Sequence, residues 1–225
     1  MILALVFAFE FGGPAILKSY IEIGIGRCEK LPILCKAPEE KWVDPALDMR
    51  ALSNFVTYSL DEITIEVPRI FTVIKEHMRK AYYKKKHKDK GDVIYLLYQK
   101  PGFFLNLFPK LKKKGLTDDY EFFNRTMSAQ TFQIQNMTDT FFVIMKSIFV
   151  PNLGEQKNVR MIIFQSGDKK GFLNYSLGDT GNYFDCNVFN AQQDFFKIYI
   201  VDKSMTLDLN KVFTIISTVR KTPGS

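Results

Sequence analysis

The last third of the chain limits its fold most sharply. Four β-prone runs, Val159 to Gln165, Gly171 to Leu177, Asn182 to Phe189 and Phe195 to Asp202, are separated only by SGDKK, GDTG and NAQQD. Gly, Asp and Asn in those links supply turn conformations. Links that short join antiparallel neighbours, because a parallel pair needs a crossover of about a dozen residues. The four runs therefore predict an up-and-down meander. After them, Leu209, Val212, Phe213, Ile216 and Val219 recur along one face of a helix opening at Thr206 and running to about Arg220. Such a stripe needs a sheet to cover it.

Upstream, FVTYSL (55–60) and EITIEVP (62–68) read as a strand pair closed by Pro68. From Arg69 to Lys88 the spacing of Ile70, Val73, Ile74, Met78 and Ala81 predicts an amphipathic helix. Residues 92–99 predict a further strand, and Phe103 to Leu111 a short apolar helix or loop. Thr117 caps an acidic helix start, Thr131 to Gln135 reads as a strand, and Thr138 opens a helix that Pro151 halts. With 21 Phe and 10 Tyr, the broad apolar face of that helix belongs to a phenyl-rich core. The expected class is α+β: an antiparallel meander packed against helices, over residues 51–222.

This element order resembles the PsbP-type sandwich. There, a phrase of short strand, proline and aromatic precedes a helix, as Ile65-Glu66-Val67-Pro68-Arg69-Ile70-Phe71 is read to do here. The resemblance covers about residues 52–220, and the long insert between Gly102 and Pro151 departs from it. It implies an accessory or docking domain at a membrane surface, and no binding residue is carried over, since a fold does not fix a function.

Residues 1–17, MILALVFAFEFGGPAIL, hold one charge, Glu10. As a helix they reach only about 25 Å, short of a bilayer core, and Gly12-Gly13-Pro14 interrupts them. No basic n-region or small-residue cleavage site frames the run as a signal peptide. Residues 1–35 are accordingly read as an apolar anchor and connector, with a helix packed on the body of the domain as the alternative for the apolar run and an extended or strand-like stretch at Tyr20 to Gly24. Residues 36–50, with two prolines and mixed charges, read as a linker.

The net charge of +7 is local. Between Lys75 and Lys114 thirteen cations face three acids, so this segment carries +10 and the remainder −3. Lys84, Lys85, Lys86, Lys88, Lys112, Lys113 and Lys114 are the candidates for anion binding, on nucleic acid or lipid headgroups. Both histidines, His77 and His87, lie within that basic stretch, where neighbouring cations disfavour metal approach. The three cysteines lack zinc spacing, so no metal and no cofactor are expected. Cys28 and Cys35 are spaced to close a small disulfide ring in an oxidising compartment, which leaves Cys186 free; ordinary buried thiols are the alternative. Gly24-Ile25-Gly26 lacks the third glycine of a dinucleotide fingerprint.

These features point first to a membrane-associated, non-catalytic binding or assembly domain on the extracytoplasmic side, with a protein or a membrane surface as partner. A cytoplasmic body is the alternative that Lys18 and Arg27 favour by the positive-inside tendency. An electrostatic binder of nucleic acid or anionic lipid is the second functional reading. A carboxylate enzyme using Asp118, Asp119, Asp185 or Asp202 is the third, and no spacing singles these residues out.

Overall fold

The computed structural model describes residues 13–25, 27–28, 31–60, 62–77, 80–85, 91–150 and 159–222. Its centre is an eight-stranded sheet: β1 (Glu40–Val43), β4 (Phe71–His77), β5 (Lys80–Lys85), β6 (Val93–Gln99), β7 (Arg160–Ser166), β8 (Lys169–Gly178), β9 (Gly181–Phe189) and β10 (Phe195–Asp202). Their spatial order is β1-β7-β8-β9-β10-β6-β5-β4. The four runs of the last third form the meander β7 to β10, antiparallel throughout. Among the described residues, only the β1–β7 pair is parallel. A second, three-stranded antiparallel sheet joins β2 (Phe55–Leu60), β3 (Ile63–Pro68) and β11 (Arg220–Lys221).

Both faces of the meander β7 to β10 are covered, which explains its near-continuous apolar runs. Alternate residues point to opposite faces. One face of the large sheet carries Leu96, Phe164, Leu173, Phe184, Cys186 and Ile198 and packs on α6 (Leu209–Thr218) and the small sheet. Asp208 caps α6 by accepting from Lys211 N at 2.9 Å, and Val212, Phe213, Ile215 and Ile216 are buried beneath it. The other face carries Met161, Phe172, Phe189 and Phe195 under a helical layer built mainly from the 103–149 insert. That layer comprises α1 (Gly13–Gly24), α2 (Phe103–Leu107), α3 (Pro109–Lys112), α4 (Asp119–Ser128) and α5 (Met137–Phe149). Its phenyl rings interlock: Phe104 stacks on Phe122 with centroids 5.8 Å apart and meets Phe195 edge-on at 5.0 Å.

Several elements differ from the sequence expectation, each for a physical reason. In the described part of the expected helix, residues 71–77 and 80–85 are strand instead: β4 and β5 form an antiparallel pair with a bulge between Val73 and Lys75. The β-branched triplet Thr72-Val73-Ile74 and the Tyr82-Tyr83 pair favour strand over helix, and β6 offers β5 a partner. The strand–proline–aromatic phrase thus runs into a strand. Thr131–Gln133 is a single 3-10 turn rather than a strand, with Thr131 buried against the cysteines. Tyr20 to Gly24 belongs to α1, not to an extended connector; Pro14 sits in the first turn, where its missing N–H costs nothing. The helix after Thr117 is capped by Asp118, which accepts from Glu121 N at 2.7 Å. Thr117 N in turn donates to Glu121 Oε2 at 2.8 Å. The expected linker, 36–50, contains β1 and is part of the body: Trp42 packs on Phe213, ring centroids 5.9 Å apart, and Asp48 N donates to Thr214 Oγ1 at 2.8 Å.

Candidate functional site

The apolar leader itself, residues 1–12, lies outside the described residues. The rest of the apolar run, from Gly13, lies in α1. Leu17 and Ile21 on α1, with Ile25 just past its end, fall on one side and pack into the helical-layer core, with Ile21 fully buried. Spacings of four place them on one face. Ile16, Tyr20 and Ile23 lie on the opposite face and are 55%, 67% and 87% exposed. Lys18 and Glu22, paired at 3.9 Å, occupy the flank between the two stripes. A helix apolar on two sides has one more apolar face than its own fold consumes.

The elements that α1 touches also carry exposed apolar side chains. It packs against α5 and the Thr131–Gln133 turn, and these carry exposed Ile148 and Phe132, at 62% and 61%. Monomeric proteins seldom leave clustered large apolar side chains in water without a use for them.

A cross-link follows α1 in the chain. Cys28 and Cys35 are joined in a disulfide, and Cys186 is free and buried. Thr131 Oγ1 lies 3.3 Å from Cys28 Sγ and 2.7 Å from Cys35 Sγ. Gln130 Nε2 donates to Cys35 O at 3.1 Å. Below it, the fully buried Lys146 donates to Ala129 O at 2.8 Å and to Lys36 O. Burial without a carboxylate pushes the Lys146 ammonium down to about 7. Lys146 stands inside the aromatic run of α5, and a lone charge in such a run was the available sequence signal for it.

The lysine candidates fall on separate elements. Lys84 and Lys85 belong to β5, while Lys86 and Lys88 lie outside the described residues. Lys112, Lys113 and Lys114 are exposed at the end of α3; Lys112 Nζ donates to Asn106 Oδ1 at 2.9 Å and Lys114 Nζ to Thr138 Oγ1.

The four candidate carboxylates are each engaged in the fold. Asp118 caps α4, and buried Asp119 accepts from Leu105 N at 2.9 Å, desolvation raising its pKa. Asp202 accepts from Leu207 N at 2.7 Å. Asp185 pairs with Lys197 at 2.7 Å beneath the helical layer. Among the described residues, no group of three His, Cys, Asp or Glu side chains is placed to hold a metal, and no helix is long and apolar enough to cross a membrane. Comparison with protein-family models and with curated proteins finds no match to this chain.

Proposed function

We propose that this protein is a membrane-associated accessory or assembly domain without catalysis of its own, resting on a bilayer through α1. The observation that carries this reading is the outward stripe Ile16, Tyr20 and Ile23, continuous in sequence with the apolar residues 1–11 and followed by the Cys28–Cys35 cross-link. A 12-residue helix of this kind suits the headgroup–acyl boundary, where its apolar face is buried and Tyr sits at the polar edge. Lys18 and Glu22 on the flank remain in water. The disulfide favours an extracytoplasmic body.

The test is flotation of the full chain with vesicles of phosphatidylcholine alone and of phosphatidylcholine with phosphatidylglycerol. The chain is expected to float with both, and charge reversal at Lys112, Lys113 and Lys114 to leave flotation on the neutral vesicles unchanged. Full-length protein remaining at the bottom overturns the reading. Flotation confined to anionic vesicles and abolished by salt replaces it with the electrostatic one.

A further inference from the structure

We infer that the side of the molecule formed by the small sheet and α6 carries a preformed groove for a single-chain carboxylate amphiphile. The groove lies between the Ala51–Asn54 turn, the start of β2, the end of β3 and the loop leading from β10 into α6. Its volume is about 350 Å³, at the low end of small-molecule sites and suited to one alkyl chain rather than two. Phe55 and Leu207 form its buried floor, and Ile70, 43% exposed, extends the apolar surface to the rim. A neighbouring concavity that also uses Thr206, Leu207 and Lys211 continues past Leu177 and Met205, both exposed and apolar.

The rim sets the sign of the headgroup. Arg50 is exposed and has no carboxylate partner among the described residues. Lys211 Nζ is held at the groove by donating to Thr206 O at 3.0 Å, with Asp208 a more distant partner at 3.8 Å. The one acid in the lining, Asp48, has Oδ1 turned to Ala51 N at 3.1 Å. Arg50, the rim cation without a carboxylate partner among the described residues, fits an anionic head on an alkyl tail over this apolar floor, its planar guanidinium fork matching a carboxylate, while Lys211 is shared with Asp208.

The loop wall is fixed in advance. Buried Asp92 accepts from Ser204 N at 2.9 Å, and buried Asp202 accepts from Leu207 N at 2.7 Å. Between them Met205 is held at φ +53°, a left-handed conformation that non-glycine residues rarely adopt and that persists only where the surroundings impose it. A wall ordered before binding lowers the entropy cost of capturing a flexible chain.

The experiment photolabels the purified full chain in detergent-free buffer with a diazirine-bearing dodecanoic acid, and in parallel with the corresponding diazirine-bearing alcohol. Adducts are mapped by peptide mass spectrometry. The acid is expected to label the peptides containing Phe55, Ile70 and Leu207 about tenfold more than the alcohol, a difference of about 1.4 kcal/mol in binding. Arg50→Gln with Lys211→Gln should abolish that preference with thermal unfolding unchanged, both side chains being on the rim. Equal labelling by acid and alcohol, labelling confined to α1, or a preference that survives the double substitution overturns the assignment. None of these outcomes depends on whether α1 rests on the bilayer.

Discussion

Lys197 Nζ lies 2.7 Å from Asp185 Oδ1, linking β10 to β9 in the middle of the face that the helical layer covers. Asp185 is fully buried, and its second oxygen accepts from Asn174 at 3.1 Å and from Asn187 at 3.3 Å. Lys197 also donates to Phe149 O, so the pair bonds the sheet to the end of α5. Removing one partner leaves the other charge buried and uncompensated. Lys197→Met is expected to destabilise the fold by about 3–5 kcal/mol, read as a lower denaturant midpoint. Adding Asp185→Asn should recover part of that loss, because the carboxylate no longer needs a cation.

Lys146 gives the protein a pH-dependent stability. Its ammonium is pushed from 10.5 to about 7 by burial. The unfolded chain therefore binds more protons than the folded one between those values, and the contribution of this group to stability rises with pH across that window. The slope approaches about 1.4 kcal/mol per pH unit. Stability of the wild type relative to Lys146→Met, measured by urea unfolding, should increase from pH 7 to pH 10 and be flat below about pH 6. A constant difference across the whole range would show the amine stays charged in the fold.

The Cys28–Cys35 bond closes a ring with a sequence separation of 7. On the loop-entropy relation such a ring stabilises by about 2–3 kcal/mol. Cys28→Ser with Cys35→Ser should lower the unfolding midpoint accordingly and loosen α1, seen as faster amide exchange at Leu17 to Ile25. Cys186 should resist maleimide until the protein unfolds, since burial and the neighbouring Asp185 raise its thiol pKa well above the usual value.

Gly171 is the position where two strands come too close for a side chain. A Cβ there would sit 2.0 Å from Asn187 O and 3.1 Å from the Phe164 ring. Gly171→Ala has to push β8 from β9 at the centre of the sheet. It is expected to cost about 3 kcal/mol, measured as a drop in thermal midpoint, whereas Gly91→Ala meets nothing within 4 Å and is strained only by its φ of +66°.

Short-range signals made part of the fold legible in the sequence. The meander from Arg160 to Asp202 followed from turn residues and link lengths, and α6 from a single stripe. The hairpin β4–β5 was hidden because Ile70, Val73, Ile74 and Met78 satisfy a helical period, while pairing with β6, the next strand in the chain, decides the outcome. β1 was hidden because its sheet partner, β7, lies more than a hundred residues downstream and the pairing is parallel. The apolar character of α1 was plain, yet its division into a buried and an open stripe required knowing where α5 packs. The groove at Arg50 and Lys211 gathers three stretches of chain with no shared motif.

The most direct measurement is depth-dependent fluorescence quenching by brominated acyl chains in lipid vesicles. The native Trp42 packs against Phe213, on the sheet face opposite the helical layer, and serves as an internal control. In the wild type its emission should be insensitive to brominated lipid. In Ile23→Trp carrying Trp42→Phe, emission should be strongly quenched by bromine near the headgroup end of the chain and weakly by bromine near the bilayer centre. No quenching at position 23 in vesicles that bind the full chain would contradict the placement of α1 on the membrane.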